Sequence, residues 1–479
     1  MRWWGLAIAG CAPARDGRPA ITLSAVSVPG PGIEVTPAVD PPAAITLRCA
    51  APDLADEVHQ VEIPADATGP VVLRGLLSDT AYTCVATGPG GAIGATSVVT
   101  PPLPDGLPDR FEVTESDPRS AGGFTLTNWF RTSDASDQHV IVVDPEGRVR
   151  WHWELGEDCS SSLDAAPAGP GRIVVGGGET VNPRLVDLDG HVSWISPDPE
   201  VGDGFHHHVE SLPDGDVLSL VTTFDQRDGV GPTWRGFRVE QRDPDTDAVT
   251  WDWNSQQGVD AGTLAPGAGD DNPYHANAAA VVDDDPDGPA VWISAKAQNA
   301  ILRIDRGTEV LRDAIGVGGA FSLYDADGAP LTDLDWFYGQ HAIEVDLPFV
   351  RMIDNGVGRP GHFPSTRALE LEVDLEARTA TIGWSWTEDG WFEPVWGDID
   401  ALAGGPEGPT VRITRGHFVP DGVAPIGSGP SSIVEVDRAT GDVVWRLVFD
   451  AAHAVYKSER VDPCWLTHHT TYCPGGSGP

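Results

Sequence analysis

One short pattern recurs six times between residues 141 and 449: an apolar strand, a turn led by Asp, and a second strand that usually carries Trp. The alternating apolar residues have the period of a β-strand, and Asp followed by Gly or Thr favours a turn, so each copy predicts a β-hairpin. The copies span 141–153, 185–195, 238–253, 301–315, 371–386 and 433–448, led by Asp144, Asp187, Asp243, Asp305, Asp374 and Asp437. These aspartates lie 43–69 residues apart, a spacing typical of propeller blades with loop insertions. The sequence therefore predicts an all-β fold containing a six-bladed β-propeller.

A second domain precedes the repeats. Residues 20–104 alternate strongly between apolar and polar positions, and the Pro-rich run 101–104 reads as a stiff linker. The segment Leu73–Cys84 is similar to the corner of an immunoglobulin-like or fibronectin-III-like sandwich, in which a Tyr bonds back across the corner; here Tyr82 precedes Cys84 by two residues. We therefore expect a small β-sandwich over 20–104 and the propeller over 108–479.

The first residues read as a leader. A basic Arg2 precedes a short apolar run, and Leu6–Cys11 is similar to a lipobox, at which a bacterial lipoprotein is cut before a Cys that receives lipid. We expect residues 1–19 to be a lipoprotein-type signal and tether, with lipid on Cys11. The protein would then reach the periplasm or outer cell envelope, and only this anchor would contact a membrane.

Export to an oxidising compartment would allow the remaining cysteines to form disulfides. Cys49 and Cys84 fall in the small domain, and Cys464 and Cys473 close a short C-terminal loop, so both pairs are candidate disulfides in an oxidising compartment. Cys159 is unpaired in this scheme, and its pairing with Cys464 or Cys473 is the alternative.

The net charge of the chain restricts the functions that it can have. The net charge is −42 with a pI of about 4.4, which excludes a nucleic-acid reader that works by neutralising phosphates. Only two lysines occur, Lys296 and Lys457. Because lysine is so rare in this chain, both lysines are candidates for a functional role.

Histidines mark the predicted innermost strands of three consecutive repeats. The strands at 205–212, 274–282 and 339–346 begin with His206–His208, His275 and His341, and the strand at 290–297 ends at Lys296. Equivalent positions of neighbouring blades converge on one mouth of the channel, so we expect these side chains to meet. A lysine ammonium beside neutral imidazoles disfavours the binding of a metal cation and favours the binding of an oxyanion such as a sulfate or phosphate ester. Arg359 and Arg415 are further candidates for positive charge.

At these residues the chain resembles the bacterial arylsulfate sulfotransferases, six-bladed propellers that move sulfuryl groups between phenols without a nucleotide donor. The resemblance covers roughly residues 110–450 and rests on four segments, which are 204–218, 274–305, 337–346 and 359–374. It implies that His341 is the nucleophile that becomes a sulfohistidine. His275 matches the histidine of an H-x-N motif, Lys296 stands where the family has Arg, and His207 matches a histidine of the first segment.

The resemblance implies a ping-pong transfer from a small-molecule aryl sulfate to a phenolic acceptor, with no cofactor and no metal. His275 and Lys296 would hold the sulfuryl oxygens, and His207 would exchange the phenol proton with a pKa near 6.5. Further substrate-binding candidates are His206, Trp336, Tyr338, Arg359 and Trp396.

Two other functions fit the same pattern. One is a non-catalytic surface lipoprotein whose propeller binds a sulfated glycan or a protein partner. The other is a calcium-dependent lactonase-type propeller that uses acidic and amide groups such as Asp354 and Asn355.

Overall fold

The computed structural model describes residues 19–28, 30–67, 69–131, 134–155, 164–178, 181–199, 204–225, 234–265, 272–361, 365–405, 408–416 and 430–474. Antiparallel sheets dominate, as the alternating pattern predicts. Two short α-helices, α1 (Ser255–Asp260) and α2 (Pro463–Leu466), and 3-10 turns at Pro89–Gly91, Lys296–Gln298 and Asp333–Asp335 complete the regular elements of these ranges. None of the helices within them has the length and apolar character needed to cross a membrane.

Seven strands, numbered in chain order like all those below, form two N-terminal sheets. They are β1 (Ala20–Val28), β2 (Gly32–Asp40), β3 (Ile45–Ala50), β4 (Val58–Ile63), β5 (Val71–Leu73), β6 (Ala81–Thr87) and β7 (Ile93–Val99). The strand orders are β1-β2-β5 and β4-β3-β6-β7, and side chains from both sheets share one hydrophobic cluster. The predicted Cys49–Cys84 disulfide is confirmed. The corner bond is confirmed as well, because the Leu77 N–H donates to the Tyr82 hydroxyl at 2.9 Å.

Six further sheets follow, each with four or five strands. The first contains β9 (Phe124–Arg131), β10 (Asp134–Val143), β11 (Val149–Glu154), β33 (His453–Ala454) and β34 (Ser458–Val461). The second contains β12 (Asp164–Pro167), β13 (Arg172–Gly176), β14 (Arg184–Asp187) and β15 (Val192–Ile195). The third contains β16 (Phe205–Ser211), β17 (Val217–Asp225), β18 (Trp234–Arg242) and β19 (Val249–Asn254).

The remaining three sheets have the same plan. The fourth contains β20 (Ala276–Val282), β21 (Ala290–Ala295), β22 (Ala300–Asp305) and β23 (Leu311–Gly316). The fifth contains β24 (Ser322–Tyr324), β25 (His341–Asp346), β26 (Phe349–Asp354), β27 (Arg367–Asp374) and β28 (Thr379–Trp386). The sixth contains β29 (Asp398–Gly405), β30 (Gly408–Arg415), β31 (Ser432–Asp437), β32 (Val443–Val448) and β8 (Glu112–Ser116).

All six predicted hairpins are confirmed as antiparallel pairs; they are β10–β11, β14–β15, β18–β19, β22–β23, β27–β28 and β31–β32. In each turn the carboxylate of the lead Asp accepts a backbone N–H two or three residues further on, for example Glu146 N–H on Asp144 at 3.0 Å. The repeated Asp is therefore a turn-forming residue, which explains its recurrence.

Hydrogen bonds or ion pairs link each of the six sheets to the next, and the sixth to the first. In order, the linked residues are Lys457 with Asp164, Val209 with Asp164, His207 with His275, Asn277 with Gln340, His341 with Gly397, and Ser458 with Asp398. The C-terminal segment supplies strands β33 and β34 to the first sheet. Strand β8 pairs with β32 at the outer edge of the sixth sheet.

A buried cluster ties the N-terminal sheets to the rest of the chain. The Glu57 carboxylate accepts hydrogen bonds from Tyr82 and Arg150 at 2.8 Å, from His59 at 3.0 Å and from His469 at 3.1 Å. Near His469 the predicted Cys464–Cys473 disulfide is confirmed. Burial lowers the pKa of His59 to about 4, and the Arg150 guanidinium forms a buried ion pair with Glu57.

We expect Glu57→Gln to lower the free energy of unfolding by about 1–3 kcal/mol, because the buried Arg150 and Tyr82 lose a charged acceptor while Arg150 keeps its ion pair with Asp144. Thermal unfolding followed by circular dichroism measures the effect. The matched control is Glu62→Gln, since Glu62 is exposed and bonds only Thr46 among the described residues. Equal melting temperatures for the two variants would contradict the prediction.

Candidate active site

The innermost strands of all six sheets line one cavity of about 410 Å³. Residues from β12, β16, β20, β25, β29 and β34 contribute to its wall. The histidine-bearing strands β16 and β25, and the strand β20 that follows His275, therefore border a common cavity. His208 and Ala342 belong to its wall, and they directly follow His207 and His341 in the chain.

The three histidine segments share a local irregularity. Each of β16, β20 and β25 shifts register against its partner close to the histidines. His207 (φ 60°), His275 (φ 45°) and Ala342 (φ 53°) adopt left-handed backbone conformations that are costly for residues other than glycine. A bulge turns side chains away from regular alternation, and such strain concentrates at functional sites.

The predicted meeting of the histidines is confirmed. The Nε2 atoms of His207 and His275 lie 3.3 Å apart. The ring centre of His206 is 3.7 Å from that of His207 and 5.5 Å from that of His275. The His341 ring centre is 6.1 Å from that of His207. Three repeats thus supply four imidazoles to one small volume.

The buried His341 ring has a defined hydrogen-bonding pattern. Its Nδ1 lies 3.1 Å from the carbonyl oxygen of Gly397, which can only accept, so Nδ1 carries the proton and Nε2 is the unprotonated nitrogen, able to accept from a donor. The Tyr456 hydroxyl lies 3.3 Å from that Nε2. Gly397 has φ +118°, and an added Cβ would lie 3.2 Å from Ile353 and from the Thr414 carbonyl, so the close approach requires glycine here.

Lys296 places a cation beside the histidines. Its backbone N–H donates to the His275 carbonyl at 3.3 Å. Burial lowers the pKa of its ammonium to about 8, against the opposing effect of the Glu393 charge. The Lys296 charge in turn helps to lower the pKa of His341 and of His275.

The four imidazoles are neutral at pH 7. Burial is the main cause: it lowers the pKa of His206 to about 4 and of His275 to about 3, and those of His207 and His341 well below 6.5. The expectation that His207 titrates near 6.5 is therefore wrong, because desolvation and the neighbouring histidines disfavour its charged form.

Two residues of the site were missed by the sequence analysis. Tyr456 is fully buried, and its ring stacks 6.0 Å from that of His207. The Lys457 ammonium lies 2.7 Å from the Asp164 carboxylate and 3.1 Å from His208 Nδ1. The rarity of lysine was a usable signal for Lys457, whereas Tyr456 belongs to no repeated motif.

The aromatic candidates divide into two groups. Trp396 packs edge-on against Tyr456 at 6.0 Å and so lies beside the histidines. Trp336, Tyr338 and Arg359 instead contact one another. Arg359 lies 5.4 Å from the Tyr338 ring centre and donates to the Trp336 carbonyl at 3.2 Å. Among the described residues we find no contact of these three with the four histidines.

Asp354 organises that second group. Its carboxylate accepts hydrogen bonds from Arg359 and from Arg367, and from the Tyr338 N–H at 2.9 Å. The adjacent Asn355 amide donates to the Glu393 carbonyl at 2.7 Å and to the Trp396 carbonyl at 2.9 Å. With two guanidinium groups on the carboxylate and the amide nitrogen turned inward, this arrangement gives no support to a calcium site at Asp354 and Asn355.

Ligand atoms that could bind a metal lie within 4.8 Å of one another in His206, His207 and His275. The Lys296 charge beside them disfavours a cation. Three carboxylates, Asp398, Asp400 and Glu459, form another such group along the cavity. Of the other predicted residues, Arg415 forms an ion pair with Glu388 at 2.5 Å, while Cys11 and Cys159 lie outside the described residues.

A cluster of neutral imidazoles with the Lys296 cation beside it is suited to holding an oxyanion. The model of the arylsulfotransferase (ASST) family matches residues 110–457, and the chain belongs to this family. No curated protein matches the chain. Family membership supports a sulfotransferase function in general, with small-molecule aryl sulfates and phenols as substrates. The two disulfides are consistent with an exported protein.

We expect Lys457→Met to lower the free energy of unfolding by about 3–5 kcal/mol at pH 7, since it leaves Asp164 and Asp398 buried without their cation. The pKa values of both carboxyls should then rise in the folded state above those in the unfolded state. Protonation would favour folding, so the deficit should shrink as the pH falls to 5. Thermal unfolding of wild type, Lys457→Met and the charge-preserving control Lys457→Arg at both pH values measures this. A pH-independent deficit would contradict the prediction.

Proposed function

We propose that the protein transfers a sulfuryl group from an aryl sulfate to a phenolic acceptor through a sulfohistidine at His341, without a nucleotide donor. The observation that carries the proposal is the state of His341. Its Nδ1–H is held by the Gly397 carbonyl, so a neutral imidazole presents its Nε2 lone pair beside three further imidazoles and the Lys296 cation. A neutral, oriented imidazole is what nucleophilic attack requires.

We infer that the six C-terminal sheets close into a six-bladed propeller over residues 108–479, preceded by a sandwich over 20–104. Two observations support closure: one cavity is lined by the innermost strands of all six sheets, and bonds link the sixth sheet to the first. The C-terminal strands β33 and β34 would complete the first blade.

In the first half-reaction, His341 Nε2 attacks the sulfur of the aryl sulfate, an N–S bond forms and the S–O bond to the aryl group breaks. The electron pair of that bond leaves on the phenolate oxygen. The Lys296 ammonium, with a pKa of about 8, gives this oxygen a proton near neutral pH. Lys296 and His275 also bind the sulfuryl oxygens during the transfer.

In the second half-reaction, the acceptor phenol returns a proton to the Lys296 amine and its oxygen attacks the sulfur. The N–S bond breaks, and its electron pair restores the free Nε2 of His341. Donor and acceptor use the same site in turn, so the kinetics are ping-pong. His206 and His207, as neutral groups, contribute hydrogen bonds to substrate.

Trp396 and Tyr456 provide ring faces and edges for the aryl group beside His341. Trp336, Tyr338 and Arg359 contribute to binding at a greater distance, because through Asp354 they hold the segment that leads into His341. Arg359 is already paired with Asp354, so its charge acts on the segment more than on the substrate.

Replacement of His341 by Asn should abolish 4-nitrophenol release from 4-nitrophenyl sulfate, both with and without added phenol, and abolish the acid-labile protein-bound sulfuryl group. The reason is that Asn has no nucleophilic ring nitrogen. The assay contains a chelator, and the matched control is His191→Asn, because the His191 side chain is 82% exposed. Full turnover by His341→Asn would reject the sulfohistidine and favour the non-catalytic binding protein; chelator-sensitive turnover would favour the lactonase-type alternative.

Three further replacements separate the contributions of His275 and Lys296. His275→Asn should slow transfer about 100-fold or more, as loss of an oxyanion-binding group does. Lys296→Met should nearly remove activity, whereas Lys296→Arg keeps the charge and a bidentate donor but cannot release its proton, so it should still bind the sulfuryl oxygens while transferring the group more slowly than wild type. A Lys296→Met variant at wild-type rate would show that the cation has no role.

We further propose that the protein is exported as a lipoprotein, cut before Cys11. The support is the lipobox-like Leu6–Cys11 together with the two disulfides. Mass spectrometry of the native protein should find a lipid-modified N-terminus at Cys11, and Cys11→Ser should release it from the membrane fraction. An unprocessed Met1 on soluble protein would contradict this.

A further inference from the structure

The C-terminal segment forms a β-bulge against β9. Strand β33 pairs with β9 at residues 130–131, and β34 pairs with it at residues 124–127. Between these pairings, residues 455–457 of the C-terminal segment lie opposite only residues 128–129 of β9. One extra residue in a strand interrupts the ladder of backbone hydrogen bonds and redirects the side chains. The position of the bulge side chains therefore depends on what holds the bulged backbone.

Tyr456 is the bulge residue that reaches the histidines. Its hydroxyl lies 3.3 Å from His341 Nε2, and its ring is stacked with that of His207, the two ring centres being 6.0 Å apart. The same ring is edge-on to Trp396, with ring centres 6.0 Å apart. The whole of Tyr456 is buried, so its backbone N–H needs a hydrogen-bond partner inside the protein.

Asn128 of β9 supplies that partner. The Tyr456 N–H donates to Asn128 Oδ1 at 2.8 Å. Because a backbone N–H only donates, the oxygen of the Asn128 amide faces the bulge. Asn128 is itself 2% exposed, and on its other side β9 pairs with β10, where Asn128 lies opposite Val140. A side chain on a strand that is paired on both sides thus replaces the ladder bond that the bulge removes.

Thr127, the neighbouring residue of β9, holds the end of the bulge. Its hydroxyl donates to the Lys457 carbonyl at 2.6 Å. Thr127 thus fixes the last residue of the bulge, and Asn128 fixes its middle residue. The bond from Asn128 is the one that acts on the residue beside His341.

We propose that Asn128 is the positioning residue of Tyr456: its amide oxygen holds the bulge so that the Tyr456 ring stays beside His341 Nε2. This inference rests on the proposed function for its purpose, because there Tyr456 borders the aryl group next to the attacking nitrogen. Asn128 lies in the first sheet, outside the four segments that carry the family resemblance, which are 204–218, 274–305, 337–346 and 359–374.

The position of Tyr456 can be measured directly, because the chain contains only six tyrosines. Protein labelled with 3-fluorotyrosine gives a ¹⁹F NMR signal for each tyrosine, and the signal lost in Tyr456→Phe belongs to Tyr456. Asn128→Leu nearly keeps the size of the side chain but removes the acceptor, so we expect the Tyr456 signal to shift while the other tyrosine signals stay in place. Asn128→Asp keeps an oxygen at the same position and should return the signal towards wild type.

The matched control is Thr125→Val. Thr125 is similarly buried on the same strand, but it lies opposite Arg460 and Val143, beyond the bulge. The change removes a polar group from β9 without touching the bond to Tyr456, so it should leave the Tyr456 signal in place.

Transfer kinetics supply a readout that a general loss of stability would not produce. Asn128→Leu should lower kcat/KM for 4-nitrophenyl sulfate about tenfold, the size expected when one aromatic contact with the substrate is lost. In a Tyr456→Leu background the same change should cost less than about twofold, because Asn128 acts through Tyr456. Two independent residues would instead give equal losses in both backgrounds.

An unmoved Tyr456 signal in folded Asn128→Leu protein, a shift of the same size in Thr125→Val, or equal kinetic losses in the two backgrounds overturns the inference. If the signal moves as expected but the wild-type protein transfers no sulfuryl group, the positioning by Asn128 stands and the proposed function is rejected. Where Asn128→Leu does not fold, Asn128→Ala and Asn128→Asp are compared by the same criteria.

Discussion

The pairing of β34 with β9 is the contact on which the rest of the site depends. Residues 458–461 pair with residues 124–127, more than three hundred positions earlier in the chain. This pairing positions the preceding two residues: Tyr456 lies beside His341, and Lys457 lies in the cavity wall between Asp164 and His208. A few residues later the same segment delivers His469 to Glu57. One antiparallel pairing thus connects the N-terminal sheets, the cavity and the nucleophile.

Burial determines the charge state of the site. Imidazoles near an unperturbed pKa would be partly charged at neutral pH and would repel Lys296, but desolvation keeps all four neutral. The charges that act on the neutral imidazoles are cationic: Lys296 acts on all four, Arg235 on His206 and His275, and Lys457 on His341. Because the net charge of the whole chain is −42, these cations favour a small anion that is bound individually over a polyanion held by a basic surface.

Prediction from sequence succeeded where the signal was local. The period-two alternation and the Asp-led turns identified all six hairpins, and each lead Asp bonds its own turn, so the information lies within a few residues. The corner bond of Tyr82 follows from a short motif and was predictable as well. Both disulfides were predicted as candidate pairs, and the structure decided for Cys464–Cys473 over a pairing of either cysteine with Cys159. The role suggested for His207 included a pKa that burial changes, and no local pattern reports burial of that degree.

The sequence by itself determined the strands, the turns and the register that brings His207, His275 and His341 to equivalent positions, because these depend on periodicity and on repeated motifs. Only the tertiary structure decided that Tyr456 and Lys457 join the site and that Trp336, Tyr338 and Arg359 gather around Asp354 instead. The physical reason is that contacts between distant segments, and the desolvation that sets the charges of the histidines, arise only when the sheets pack around a common cavity.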